Sequence, residues 1–93
     1  MRSFPADARA EAGFQLHLLQ QGKRPRDWKA MTTVGAGAYE IRIHTATEHR
    51  VLVVTRFAEA IYVLHAFEKK SQKTARYDID LARRRYRDLL SGR

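Results

Sequence analysis

Apolar residues near the N-terminus recur at three- and four-residue steps: Phe4, Ala8, Ala12, Leu16 and Leu19 form one stripe, and Phe14 and Leu18 widen it. A helix turns once every 3.6 residues, so this spacing predicts an amphipathic helix from about Pro5 to Gln21. Pro5 suits the first turn, where its missing N–H would have no partner, and Asp7 and Glu11 sit near the positive end of the helix dipole. Gly22 closes the helix. The following segment, Lys23 to Val34, reads as a basic, turn-like stretch that Trp28 and Met31 pin to the core.

After Gly35-Ala-Gly37 the period shortens to two. Tyr39 to Thr45, Arg50 to Phe57 and Ala60 to Phe67 are rich in Val, Ile, Tyr and Thr and joined by short connections, which predicts three strands in an antiparallel meander. In the first strand Tyr39, Ile41 and Ile43 point one way and Glu40, Arg42 and His44 the other, so one face is expected to be core and the other wet. Arg50 and Arg56 share a face with Leu52 and Val54. The third strand, AIYVLHAF, is apolar on both sides and reads as the central one. Beyond the SQKT turn, Ile79, Ala82, Tyr86 and Leu89 mark one stripe of a second helix, Arg76 to Leu90. The predicted fold is α+β: an N-terminal helix, a twisted antiparallel sheet of three strands, or four if another joins, and a C-terminal helix.

With 93 residues, the chain is expected to form one domain, residues 1–93. Eighteen Lys and Arg against ten Asp and Glu leave a net charge of +8, an excess that points to a polyanionic partner. There is no cysteine, which rules out disulfides and thiolate metal sites. The histidines, His17, His44, His49 and His65, lack the clustered spacing of a zinc site, so neither metal nor cofactor is expected. The opening MRSFPADARAEAG contains no long apolar core of a signal peptide, and no run is long enough to span a membrane; a cytoplasmic protein is expected.

The densest chemistry lies in HAFEKKSQKT, residues 65–74, where an apolar strand runs into Lys69, Lys70 and Lys73. Such a cluster can grip phosphate, and mutual repulsion can bring a lysine towards proton-transfer range; the alternative is an ordinary solvated turn. His65 is either a hydrogen-bonded core histidine or a proton carrier. Arg42, Arg50 and Arg56 can present guanidinium forks to a charged transition state, or be surface arginines paired with Glu40 or Glu48. Arg83-Arg84-Arg85, then Arg87, offers a nucleic-acid-facing stripe, although Asp80 and Asp88 are spaced to pair with Arg84 and make it a solvated helix face. Gly35-Ala-Gly37 precedes a strand and lacks a third glycine, so it is a turn and not a dinucleotide fingerprint.

The strings DWKAM (27–31), GAGAYEIRI (35–43), IYVLHAFEKKSQKT (61–74) and DIDLARRRYRDL (78–89) together resemble the phage Gp49-like branch of HigB toxins, within the RelE/ParE superfamily. The resemblance implies the RelE-like microbial RNase fold, with helices on one face of the sheet and the other face open to RNA. It implies a type II toxin that cleaves mRNA on the ribosome, inhibits translation and arrests growth. Its partners would be ribosome, mRNA and a HigA-like helix-turn-helix antitoxin, in a hetero-oligomeric complex. By the same resemblance Arg42, Arg50, Lys69 and Lys70 match basic positions of the family's site. His65, Lys73 and Tyr77 lie close enough to join them, and Arg56 and Arg84 are further candidates for RNA contact.

The chain departs from the pattern twice. The family's opening strand has no counterpart ahead of MRSFP, which leaves a truncated start or a sheet short of one edge strand. Ala75 stands where the motif commonly continues with proline. The chemistry expected is attack of a ribose 2′-hydroxyl on the adjacent phosphate without metal. Arg42 and Arg50 would stabilise charge, Lys69 or Lys70 would clamp phosphate, and His65 or a lysine would move protons. A ParE-like gyrase poison and a non-catalytic nucleic-acid-binding module are the alternatives.

Overall fold

The computed structural model describes residues 3–92. Its first helix, α1 (Ala6–Gln20), starts behind Pro5 and buries Phe4, Ala8 and Ala12. Gln15 is also buried, and its amide is satisfied: Oε1 accepts the Arg26 N–H at 2.9 Å and Nε2 donates to Glu11 Oε1 at 2.6 Å. Phe14 does not widen the apolar stripe. It is 43% exposed, beneath the Arg26 guanidinium at 5.4 Å. The helix stops because Gly22 takes φ +77°, which lets Lys23 N–H reach Leu18 C=O and Gly22 N–H reach Leu19 C=O, so the last carbonyls are satisfied.

Four strands follow: β1 (Trp28–Ala30), β2 (Ala38–His44), β3 (Glu48–Val54) and β4 (Tyr62–Glu68), paired antiparallel in the order β1-β2-β3-β4. β1 is the additional strand, drawn from the segment expected to be turn-like, and its Trp28 stacks on Tyr39 with ring centroids 4.2 Å apart. β4 is an edge strand and not the central one. Its apolar residues are spent on two cores, and Val63, left at the edge, is 46% exposed.

The second helix, α2 (Arg76–Ser91), lies across the sheet from α1. Ala8 and Ala12 of α1 pack with Ile41, Ile43, Val51 and Val53, whereas Ala82 and Tyr86 of α2 pack with Ala38, Leu52, Val54 and Leu64. These strand residues alternate in parity, so the helices cover opposite faces, giving three layers and not the one-sided packing expected from the family resemblance. Gly35 is required where α2 crosses the turn before β2: a Cβ there would stand 2.6 Å from Tyr86 Cε2. Tyr86 Oη donates to Ala36 C=O at 2.5 Å and accepts from Arg56 Nη1 at 3.1 Å, which ties the turn to the helix.

One irregularity decides what the sheet presents. Leu52 pairs with His65 but Val53 pairs with Val63, so Leu64 is an extra residue in β4. This bulge turns Leu64 and His65 to the same side, and everything after it changes face. His65 and Phe67 therefore join Arg50 and Leu52 on the side covered by α2.

Candidate active site

Beyond the packing surface of α2, three rungs of the sheet carry polar and charged groups on one face. Register sets Glu40 opposite Leu52 and His65, Arg42 opposite Arg50 and Phe67, and His44 opposite Glu48, whose C=O accepts the Lys69 N–H at 2.8 Å. On β2 this face, with Glu40, Arg42 and His44, was expected to be wet. Glu40 is instead 1% exposed, with Thr74 of the loop before α2 bonded to it, and the Arg50 side chain is 7% exposed; His44 at the far rung stays open.

The charges close into a ring. His44 Nε2 meets Asp27 Oδ2 at 2.6 Å, Asp27 Oδ1 meets Arg42 Nη1 at 3.4 Å, and Arg42 Nε meets Glu40 Oε1 at 3.5 Å. The circuit continues from that oxygen to Arg50 Nε at 3.7 Å, from Arg50 Nη1 to Glu48 Oε1 at 3.3 Å, and from Glu48 back to His44 Nδ1 at 2.8 Å. Arg42 also donates its backbone N–H to Asp27 C=O at 2.9 Å, which moors Asp27 beside the strand. The buried Arg50 Nε has no hydrogen bond, since 3.7 Å is an ion-pair distance only. The arginines are thus paired with Glu40 and Glu48, as one reading of the sequence allowed, and with Asp27 as well, but Arg50 is not a surface group.

Both His44 nitrogens face carboxylates, so the imidazolium is the favoured form. Its pKa is raised above the usual histidine value, first by the hydrogen bond to Asp27 and then by that to Glu48. Asp27 and Glu48 are each lowered, in both cases chiefly by the hydrogen bond from His44.

His65 belongs to a second unit. Its Nε2 lies 2.7 Å from Asp78 Oδ1 in the first turn of α2, and its ring stacks on Phe67 at 5.0 Å. An ionised Asp78 accepts the Nε2–H and leaves Nδ1 as the basic nitrogen, the arrangement of a base held by an orienting carboxylate. Thr74 Oγ1 donates to Glu40 Oε2 at 2.8 Å. The lysine loop therefore begins at Lys69 beside Glu48 and ends at Thr74 over Glu40, framing the site.

Arg42, Arg50 and His65 thus share one face, and Lys69 follows β4 with its backbone beside Glu48. Lys70 and Lys73 are exposed in the framing loop, and among the described residues none of the three lysines forms an ion pair. Tyr77, at 72% exposure, opens α2 next to Asp78. Two candidates lie elsewhere. Arg56 is held by Tyr86 and sits over Phe57 at 5.3 Å, lining a groove of about 450 Å³ with Arg83 and Arg87. Arg84 projects from the exposed face of α2, and Asp80, spaced to pair with it, lies 3.7 Å from Arg76. A larger cavity, about 860 Å³, opens near Trp28, Tyr39 and Ile61 and includes none of the clustered charges.

Sequence reasoning missed Asp27, Thr74 and Asp78 as members of the site. A family model described as Phage derived protein Gp49-like matches residues 1–87. The chain belongs to this Gp49-like family. The family is the RelE/HigB-like toxin group, which gives the chain a function of the toxin kind found in toxin–antitoxin pairs, with an antitoxin as partner. No curated protein and no solved structure was found to match it. No helix among the described residues is long and apolar enough to cross a membrane.

Proposed function

We propose that this chain is a single-domain cytoplasmic toxin of a type II pair, a metal-independent endoribonuclease that cuts mRNA on the ribosome and is restrained by a helix-turn-helix antitoxin. The observation that carries this reading is the His65–Asp78 pair, 2.7 Å apart, on the same sheet face as the opposed Arg42 and Arg50. Ribose self-cleavage of RNA asks for a base, charge stabilisation at phosphorus and an acid, and this face and the lysine loop after β4 hold a group for each. His65 Nδ1 takes the 2′-hydroxyl proton, and the oxygen attacks the adjacent phosphorus. Arg42 and Arg50 stabilise the charge that builds on the phosphoryl oxygens. The departing 5′-oxygen receives its proton from Lys69 or Lys70, leaving a 2′,3′-cyclic phosphate and a 5′-hydroxyl.

The remaining candidates, Lys73, Tyr77, Arg84 and Arg56, are then contacts to messenger or ribosomal RNA. Expression of wild type and H65Q, each with and without the neighbouring antitoxin, followed by mapping of mRNA ends on stalled ribosomes, tests the reading. Wild type alone should arrest growth and generate new mRNA ends, and H65Q should do neither. DNA damage without translation arrest would instead identify a gyrase poison, and absence of arrest a non-catalytic nucleic-acid binder.

A further inference from the structure

Arg42 and Arg50 are not free to take a phosphate as they stand. Each directs Nε to Glu40 and turns Nη1 away from it towards a second carboxylate, Asp27 for Arg42 and Glu48 for Arg50, and Arg50 Nη1 also donates to the His49 C=O at 2.9 Å. The Glu40 carboxylate is buried and also accepts from Thr74 Oγ1. Asp27 and Glu48 are about 40% exposed and hold the guanidinium nitrogens that a phosphodiester would need, so they are built-in competitors for a substrate anion.

The distances show which way these carboxylates lean. They lie 3.4 and 3.3 Å from the guanidiniums but 2.6 and 2.8 Å from the His44 ring nitrogens. Charge-assisted hydrogen bonds are normally at the shorter of these ranges, so the imidazole holds both acids more closely than the arginines do. His44 itself touches no position where RNA would react.

We propose that His44 is a positioning residue of the phosphate site, which holds Asp27 and Glu48 together and draws them off Nη1 of Arg42 and Arg50 so that an RNA phosphodiester takes their place. With an imidazolium the ring is three cations and three anions, balanced before the phosphate arrives. With a neutral ring one negative charge is uncompensated, the two carboxylates turn to the guanidiniums, and an incoming anion is opposed. The charged groups around His44 are Asp27 ahead of β1, Arg42 on β2, Glu48 and Arg50 on β3, and Lys69 after β4, next to Glu48; Glu40 lies one rung further in. Since the two carboxylates raise the His44 pKa, the favourable state extends above the ordinary histidine range and is lost as pH rises through the raised value.

The role rests on reading Arg42 and Arg50 as phosphate ligands, and the experiment separates the two ideas. The full-length protein binds a short mixed-sequence 2′-O-methyl RNA, which lacks the attacking hydroxyl, in a fluorescence-anisotropy titration at fixed salt from about pH 6 to about pH 9. Wild-type affinity should fall about fivefold as pH rises through the His44 titration. H44Q should bind about fivefold more weakly at the acid end and lose this pH dependence. D27N/E48Q should bind at least as tightly as wild type at every pH, and adding D27N/E48Q to H44Q should restore binding. A control pair on α1, D7N/E11Q, removes the same charge from the far face and should not rescue H44Q. Failure of D27N/E48Q to rescue H44Q, equal rescue by D7N/E11Q, or a wild-type pH profile in H44Q would each overturn the role of His44. Undiminished binding by R42A would sink the reading of the arginines themselves.

Discussion

Arg42 and Arg50 are cross-strand partners that share one counter-charge: Glu40 Oε1 lies 3.5 Å from Arg42 Nε and 3.7 Å from Arg50 Nε. Sharing a buried carboxylate fixes two guanidiniums side by side, but it also makes their removal unequal. Arg50 is nearly sealed from water and Arg42 is about one-third exposed. Arg50→Ala leaves Glu40 buried with half its compensation and should cost about 3 kcal/mol, whereas Arg42→Ala should cost under about 1 kcal/mol, as water replaces the lost charge. Urea denaturation measures both. Equal losses would contradict the burial difference, and Glu40→Gln added to Arg50→Ala should recover part of the stability.

The His65–Asp78 pair gives a second expectation. Asp78→Asn keeps the size of the side chain but removes the charge that orients the imidazole, so cleavage should fall about 100-fold with RNA affinity little changed. His65→Gln should fall further. Single-turnover cleavage on programmed ribosomes, beside a binding titration, would show whether rate and affinity separate; a parallel loss of both would assign the pair a structural task only.

The His44 ring predicts a window of stability. A histidine with a raised pKa adds stability that is fully present below its ordinary value of 6.5 and is lost as pH rises through the raised value. Carboxylates with lowered pKa add stability that is present above their ordinary values, 3.8 for Asp27 and 4.5 for Glu48, and is lost as pH falls through the lowered ones. The contribution is therefore whole between about pH 4.5 and 6.5 and declines on either side. Since all three groups are partly exposed, it should stay under about 1 kcal/mol. Thermal melts of wild type and H44Q across this range should diverge most inside the window; a constant gap at all pH values would refute the sign.

The junction of α2 with the turn before β2 is sensitive to one methyl group. Gly35→Ala places a Cβ against the Tyr86 ring, so the ring or the turn must move, at a cost of about 1–3 kcal/mol. Tyr86→Phe removes only the hydroxyl that bonds Ala36 and Arg56, and should cost about 1 kcal/mol. Adding Tyr86→Leu to Gly35→Ala should relieve part of the clash, which a double-mutant cycle would detect.

Several parts of this architecture were legible in the residues. Gly22 announces the end of α1 since a positive φ is easiest there, and Ile79, Ala82, Tyr86 and Leu89 announce the buried stripe of α2. Alternation in β2 correctly set Glu40, Arg42 and His44 apart from Tyr39, Ile41 and Ile43. What alternation could not give is cover. It says which side a residue faces, not what packs over that side, and so Glu40 was expected in water and is almost fully buried.

The sequence alone therefore determined the local periods, the α+β order of elements, the basic balance, and the presence of arginines, lysines and a histidine suited to handling phosphate. Only the tertiary structure decided that they meet. The extra residue at Leu64 turns His65 and Phe67 to the face of Arg42 and Arg50, and α2 carries Asp78 to a histidine thirteen residues away. The strand order brings Asp27 to Arg42 and His44. A strand's period is local, set by the backbone of each residue, whereas a bulge, a covering helix and an ion-pair ring depend on register between segments, where a shift of one residue exchanges the two faces.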